Sequence, residues 1–215
     1  MKNLLSALTV ATTLAGATIA QADGLYLGFG LGYAQLDSKA DGPAGTYGSG
    51  ASELKAPMVG LTAGYRWDLS SGFAAVEGNI DLSTKKGFTN TVNGNACPTP
   101  GATGAYYCSH KSTIRLRGIY GMPVGTGWEL YGALGVGAMV GDGATDISYV
   151  DKGMNVGVTA GLGVQRDLGR GKLRVELVYD NFNTSKIHPT VSLGGLKYDP
   201  TYKATSFMAS YIFQF

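Results

Sequence analysis

The end of the chain constrains the fold more than any other part of the sequence. Apolar or aromatic side chains occupy every second position from Phe207 to Phe215. This period of two predicts a β-strand with one apolar face. A soluble protein rarely ends on such a strand, because its unpaired edge promotes aggregation. A closed barrel in a membrane removes that edge by pairing the last strand with the first, so the tail predicts a membrane barrel.

The N-terminus has the pattern of a secretory signal peptide. Lys2 is the only charged residue before position 23, an apolar stretch covers residues 4–19, and Ala20-Gln21-Ala22 is a small-x-small cleavage pattern. We therefore predict a signal peptide at residues 1–22 and one mature domain at residues 23–215. The alternative is a single transmembrane anchor, which the shortness of the stretch and its Thr and Ala content disfavour.

Eight segments of the mature chain alternate in the same way as the tail. In the first, Leu25, Leu27 and Phe29 share the outward parity with Leu31 and Tyr33. Charged residues in these segments fall on the other parity, as expected if the outward face meets lipid, where Lys or Arg near the midplane costs ~2–4 kcal/mol. Arg166 and Lys203 depart from this pattern but lie at strand ends, where they reach water. The predicted fold class is all-β, an eight-stranded antiparallel up-and-down transmembrane β-barrel.

The connections alternate between short turns and long loops. Short turns are predicted at residues 69–72, 124–127 and 168–171, and long loops at residues 38–55, 84–112, 141–152 and 183–201. Short periplasmic turns and long extracellular loops are typical of outer-membrane barrels. The alternative, a soluble lipocalin-like barrel or sandwich, would bury the apolar parity and expose the charged one.

The first strand, which runs from Leu25 to Tyr33 as LYLGFGLGY, and the closing YIFQF resemble bacterial outer-membrane β-barrel proteins. The resemblance is to the opacity-protein family and to the transmembrane domain of outer-membrane protein A. It implies a Gram-negative outer-membrane location, surface loops that contact a host or the environment, and recognition by the barrel-assembly machinery of a terminal signal formed by Tyr211, Phe213 and Phe215. Because the chain ends at Phe215, we do not expect the cell-wall tethering of outer-membrane protein A.

The interior of an eight-stranded barrel is just wide enough for side chains to fill it. We therefore expect a paired polar core. Glu77 and Arg117 should lie at similar height on neighbouring strands, with Asp81 and Arg115 one layer higher. The predicted interior charge network consists of Arg66, Glu77, Asp81, Arg115, Arg117 and Glu176. We expect that reversing both charges of the Glu77–Arg117 pair restores part of the stability that Arg117→Ala removes. The alternative is a gated ion path through this network.

The second long loop holds Cys97 and Cys108, which in an exported protein predict a disulfide, with two free thiols as the alternative. A metal site is not expected, because only His110 lies nearby. Tyr106 and Tyr107 beside this pair form a candidate contact site, with ordinary loop packing as the alternative.

No catalytic function and no cofactor are predicted. The only histidines are His110 and His188, both in predicted long loops. A dyad of His110 and Ser112 is geometrically possible, but a solvated loop histidine is the favoured interpretation. Phosphate-loop, dinucleotide and HExxH zinc motifs are missing from the sequence.

The charges of the chain favour a membrane over a nucleic acid. A net charge of +2 gives no electrostatic case for a nucleic-acid partner. The fourth long loop has a mild basic bias that could meet lipopolysaccharide phosphates, formed by Lys186, His188, Lys197 and Lys203.

The sequence therefore predicts an integral outer-membrane barrel with a structural or surface-interaction role, adhesin- or antigen-like, through its long loops. The expected partners are outer-membrane lipid, lipopolysaccharide, the assembly machinery and a host or surface ligand. A small channel is the first alternative, and a lipid-modifying enzyme is the second.

Overall fold

The structure is a computed structural model that describes residues 23–41, 51–85, 87–90, 106–146, 149–186, 191–193 and 196–215. Its strands, in chain order, are β1 (Gly24–Asp41), β2 (Ala51–Leu69), β3 (Gly72–Ser83), β4 (Thr89–Asn90), β5 (Tyr106–Gly125), β6 (Trp128–Asp146), β7 (Tyr149–Asp167), β8 (Lys172–Lys186), β9 (Val191–Leu193) and β10 (Leu196–Gln214). Within these ranges, no helix is long and apolar enough to cross a membrane. The predicted signal peptide and Cys97 lie outside them.

Eight long strands close into an antiparallel barrel. Each pairs with its neighbour along the chain, and β1 pairs with both β2 and β10, which closes the sheet. Tyr33, for example, lies opposite Pro57 on one side and Phe207 on the other. At the end of this seam the Phe215 amide donates a 2.9 Å hydrogen bond to the Leu25 carbonyl. The predicted eight-stranded barrel is confirmed, and β4 and β9 are short additions to β2 and β10.

The two faces of the barrel follow the predicted parity. The apolar set of β1 faces outward, with Leu25 exposed by 64% and Leu31 by 58%. The charged residues between apolar positions face inward, where Glu77, Arg115 and Arg117 are buried. An apolar exterior of this kind needs an apolar surrounding, because the leucine and aromatic side chains would otherwise meet water.

The connections at one end of the barrel are short turns, as predicted. β2 and β3 are joined by residues 70–71, β5 and β6 by residues 126–127, and β7 and β8 by residues 168–171. Gly127 and Gly169 adopt φ values of 73° and 82°, a backbone conformation that disfavours a side chain. Glycine at these two positions therefore fits the tight turns.

At the other end the strands are longer than the sequence pattern predicts. β1 continues to Asp41, β5 already begins at Tyr106, and β10 at Leu196, so the predicted long loops are shorter than expected. The prediction was wrong here because the apolar alternation stops where the outward face becomes polar, whereas the backbone hydrogen bonds continue. On β1 the outward residues change at this height from Tyr33 to Gln35.

Candidate functional site: the barrel lumen

The centre of the lumen is occupied by an ion-paired cluster around Arg117 of β5. The Arg117 Nη1 donates to Glu176 Oε1 of β8 at 2.6 Å, and its Nη2 donates to Glu77 Oε1 of β3 at 2.8 Å. The other Glu77 oxygen accepts from the Tyr26 hydroxyl at 2.8 Å and from Arg174. Glu77 has 0% exposure, so these charges are compensated within the protein rather than by solvent.

A second ion-paired cluster lies around Arg115, two residues earlier on β5. Its Nε and Nη2 donate to the two carboxylate oxygens of Asp180 at 2.8 and 2.6 Å, and its Nη1 donates to Asp81. This is the planar two-bond pairing that a guanidinium makes with a carboxylate, and it fixes both side chains in orientation as well as in distance. Arg115 thereby links β3, β5 and β8 across the lumen.

A third cluster closes the end of the lumen near the short turns. Arg66 of β2 donates to both carboxylate oxygens of Glu129 at 3.0 and 2.7 Å. Glu129 also accepts from Gln165 at 2.7 Å and from Lys172 at 2.9 Å. The Arg66 guanidinium lies 3.8 Å from the centre of the Phe73 ring, a cation–π contact. The Glu129 carboxylate therefore connects side chains from four strands at this end of the lumen.

The six predicted network residues are all on the lumen side, but they form separate groups. The structure brings Glu77, Arg117 and Glu176 together and pairs Asp81 with Arg115. The expected equal height of Asp81 and Arg115 is wrong, because Arg115 lies opposite Asn79 and Asp81 lies opposite Thr113. Arg66 instead pairs with Glu129, which the prediction left out along with Arg174 and Asp180. The alternating pattern of the sequence had already placed Glu129, Arg174 and Asp180 on the inward side. Their partners could not be identified, because contacts across the lumen depend on the stagger of non-neighbouring strands.

The end of the lumen away from the short turns contains a large buried apolar cluster, which the sequence reasoning missed. Phe182 and Tyr202 pack with ring centres 5.6 Å apart, and Phe88 packs against Tyr202 at 6.2 Å. They belong to a buried cluster, called here the outer plug, of Ala34, Leu36, Leu54, Ala56, Met58, Phe88, Met139, Phe182, Tyr202, Ala204 and Met208. The sequence did contain a signal for this cluster. The inward positions are still apolar at Leu36 and Leu54, beyond the point where the outward positions become polar.

A second apolar layer packs beside the mouth cluster of Arg66 and Glu129. It consists of Tyr26, Phe73, Ala75, Ile119, Tyr131, Ala133 and Ile212. Between the charged clusters a cavity of about 20 Å³ remains, lined in part by Asp81, Arg117 and Glu176. That volume holds about one water molecule. Alternating charged and apolar layers therefore fill the part of the lumen that the structure describes.

Inward glycines make room for these large side chains. A Cβ at Gly163 would overlap the ring of Tyr131, and one at Gly161 would overlap the Glu176 carboxylate. Outward glycines differ, since a Cβ at Gly118 would have no neighbour nearer than 3.9 Å. The high glycine content of the chain is thus explained on the lumen side by close packing.

His110 is not the solvated loop residue that the sequence suggested. It lies in β5 with 0% exposure, and its Nε2 is 2.9 Å from Thr113 Oγ1. An irregularity in the β5–β6 register between His110 and Ser112 shifts the parity, so that Ser112 does not share the buried side with His110. The structure therefore does not form the dyad. Among the residues with described side chains, no cluster of His, Cys, Asp and Glu could hold a metal ion.

The remaining predicted site residues are placed only in part. The backbones of Tyr106 and Tyr107 pair with Ala144 and Gly143 in the β5–β6 ladder, so these tyrosines belong to a strand rather than to a loop. Their side chains and the Cys97–Cys108 pair lie outside the described part, and the contact site and the disulfide stay predictions. Tyr211 and Phe213 lie on β10 with ring centres 4.7 Å apart, beside the seam.

The sequence matches a family model described as outer membrane protein beta-barrel domain over residues 4–213. No curated protein matches the chain. Among solved structures, the chain is similar to Neisserial surface protein A, with 15% identity, a TM-score of 0.46 and coverage of 91% of this chain and 100% of that chain. It is also similar to Ail, the attachment invasion locus protein of Yersinia pestis, with 15% identity, a TM-score of 0.44 and coverage of 89% and 99%. The family match begins ahead of β1 and ends within β10, so it includes all eight long strands.

Proposed function

Because the chain belongs to the outer-membrane protein β-barrel family, we propose that it is a closed, structural barrel that presents its extracellular strand ends and loops to a ligand at the cell surface. Its location is the bacterial outer membrane. The structural role follows from the barrel itself, and the surface-interaction role is assigned to the end opposite the short turns.

The observation that carries this proposal is the filled lumen. Arg115 and Arg117 each bridge carboxylates on two other strands, and the outer plug and the Glu129 cluster lie toward the two ends. A barrel filled in this way offers no room for a solute, so a function beyond membrane structure belongs on the surface. For the same reason we propose neither transport nor catalysis inside the barrel.

The strand extensions support display at the surface. Beyond Tyr33, β1 continues for eight residues to Asp41, and the neighbouring ends of β2 and β10 pair with it over this height. Paired strands form a rigid base that holds the adjoining loops at a distance from the lipid. Binding residues in proteins often lie on loops that a rigid scaffold holds in place, and these strand ends provide such a scaffold.

Loop deletion in expressing cells tests the proposal. Residues 91–105 between β4 and β5 are replaced by a short Gly-Ser linker, and residues 42–50 between β1 and β2 are replaced in a matched variant. Attachment of the cells to cultured epithelial monolayers is measured together with the heat-modifiable gel shift of the folded barrel. We expect at least one deletion to reduce attachment to the level of cells that lack the protein, with the barrel still folded. Unchanged attachment in both variants and in cells without the protein would contradict the surface role.

We further propose that the terminal residues Tyr211, Phe213 and Phe215 are the signal for the barrel-assembly machinery. Their support is the position of β10 at the closing seam with β1, where the last strand must be captured for the barrel to close.

A further inference from the structure

A buried histidine with a half-satisfied ring lies at the outer end of the lumen. His110 precedes Ile114, where the outward apolar band of β5 ends, by four residues, so it belongs to the part of the strand beyond the lipid-facing band. Its Nε2 is 2.9 Å from Thr113 Oγ1, whereas its Nδ1 has no hydrogen-bond partner in the part of the chain that the structure describes. A neutral imidazole has one donor and one acceptor nitrogen, so one of the two is left without a partner.

His110 borders the outer plug. In the β5–β6 ladder the plug residue Met139 lies directly opposite Thr113, and Gly141 lies opposite His110. The Met139 methyl group reaches the space beside Gly141, 3.2 Å from where a Cβ would lie. His110 and Met139 both have 0% exposure. The imidazole is therefore held at the edge of an apolar cluster that excludes water.

The charged groups that face His110 lie toward the centre of the lumen. Arg115 of β5 and Asp180 of β8 act electrostatically on the imidazole. Arg115 donates to both oxygens of Asp180 and also to Asp81 of β3, and neither carboxylate is hydrogen-bonded to His110 among the described contacts. The facing inward residue of β6, Met139, is uncharged. A protonated imidazole would thus be a second cation beside Arg115 without a carboxylate of its own.

This environment opposes protonation of His110 in the closed barrel. Burial, and after it the charge of Arg115, lowers the pKa of His110 from 6.5 to about 4, although Asp180 acts in the opposite direction. An imidazole in solvent takes up its proton near pH 6.5. A conformation that exposes the ring therefore binds the proton more tightly than the closed one. The stability of the closed conformation is complete above about pH 6.5 and decreases as the pH falls toward the folded-state pKa.

The β5–β6 ladder is irregular on both sides of His110. Its register shifts between Tyr107 and Ser109, and again between His110 and Ser112. A bulge leaves a residue out of the ladder and interrupts the regular hydrogen bonding. Local opening requires less free energy where fewer backbone hydrogen bonds have to break. This segment can therefore expose His110 while the remainder of the barrel stays folded.

We propose that His110 is an acid-sensitive switch at the extracellular end of the barrel: the neutral imidazole keeps the end of β5 packed against the outer plug, and protonation releases it. The released segment is residues 106–113, which carry the loop that enters β5. The ion-paired layers around Arg115 and Arg117 stay packed, because they are bonded to β3 and β8 and not to His110. The proposal goes beyond the surface-interaction role and does not depend on it.

Amide hydrogen exchange of the purified, folded protein in detergent micelles, followed by mass spectrometry, tests the proposal. Protection factors, corrected for the intrinsic effect of pH on exchange, are compared for residues 106–113 and 119–125 of β5. One proton taken up on opening raises the opening equilibrium up to about tenfold per pH unit below roughly pH 6.5. Protection of residues 106–113 should therefore fall about thirtyfold between about pH 7.5 and about pH 5. Protection of residues 119–125 should change by less than about threefold.

Two variants separate His110 from the other histidine of the chain. His110→Gln keeps an amide that can bond Thr113 but takes up no proton in this range, so protection of residues 106–113 should stay within about threefold. His188→Gln is the matched control and should lose protection as the wild type does. An equal acid-induced loss in His110→Gln would overturn the proposal, and so would constant protection in the wild type.

A second measurement does not depend on the folding of a variant at position 110. In His188→Gln, expressed without a polyhistidine tag, His110 is the single histidine, and nitrogen NMR reports its protonation directly. It should remain neutral at about pH 5.5, where an imidazole in solvent is largely protonated. Protonation near pH 6.5 with residues 106–113 still protected would contradict the switch. The heat-modifiable gel shift confirms that each protein is folded before it is compared.

Discussion

Arg115 and Arg117 in the lumen are each held by carboxylates from two other strands. Arg117 contacts Glu77 and Glu176, while Glu77 also contacts Arg174 and Tyr26. Reversing only the charges of Glu77 and Arg117 would place a carboxylate beside Glu176 and a cation beside Arg174. The structure therefore gives a different expectation from the sequence, because the simple exchange creates two like-charge contacts and should not restore stability.

Removing the guanidinium of Arg117 should be strongly destabilising. Arg117→Ala leaves Glu77 and Glu176 buried with fewer partners, and breaking a buried pair from one side costs about 3–5 kcal/mol. Urea unfolding in lipid vesicles, followed by tryptophan fluorescence, measures this loss. Arg170→Ala, in an exposed turn, is the control and should change the free energy of unfolding by less than about 0.5 kcal/mol. A loss equally small for Arg117→Ala would contradict the ion-paired core.

Glycine substitutions test the packing of the lumen at single positions. Gly163→Ala should destabilise the barrel by roughly 1–3 kcal/mol, because the new methyl group overlaps the Tyr131 ring. Gly118→Ala adds the same methyl group on the outward face, where no atom lies nearer than 3.9 Å, and should be close to neutral. The same unfolding assay compares them. Equal effects would show that the lumen has spare room at Gly163.

The strands show which structural features the local pattern determines. Parity predicted the two faces correctly, because lipid excludes charge from one of them and this constraint acts on every residue separately. It did not predict the strand ends near Asp41 and Tyr106, because backbone pairing continues into water without an apolar signal. It also missed the register irregularity at His110, since a bulge is a local backbone feature that reverses parity without a distinctive residue type.

The last strand should be needed for assembly more than for stability. Phe215→Ala is expected to reduce the amount of folded protein in the outer membrane several-fold, because the terminal aromatic residue is part of the proposed assembly signal. Phe207→Ala, an exposed aromatic residue earlier on β10, is the matched control and should assemble normally. Both variants should refold from urea into lipid vesicles with similar yield. Normal cellular assembly of Phe215→Ala would remove Phe215 from the signal.

The whole barrel combines an apolar exterior with a lumen of alternating charged and apolar layers. The eight strands and the inward charges could be predicted from the sequence. The outer plug and the ion-paired cluster around Glu129 could not. Both depend on side chains from segments that are distant in sequence, such as Leu36, Phe88 and Tyr202, which meet in one cluster. Which side chains meet is set by the stagger of the closed sheet and not by local periodicity.

The central claim, that packed side chains close the lumen, is tested most directly by electrical conductance. Purified wild-type protein, shown to be folded by its heat-modifiable gel shift, is inserted into planar lipid bilayers and recorded at low and high salt under applied voltage. Because Arg115, Arg117 and the outer plug occupy the lumen, the bilayers should show no discrete single-channel steps above the protein-free baseline. Reproducible conductance steps from the pure, folded wild type would contradict the closed barrel and favour an ion path through the charged layers.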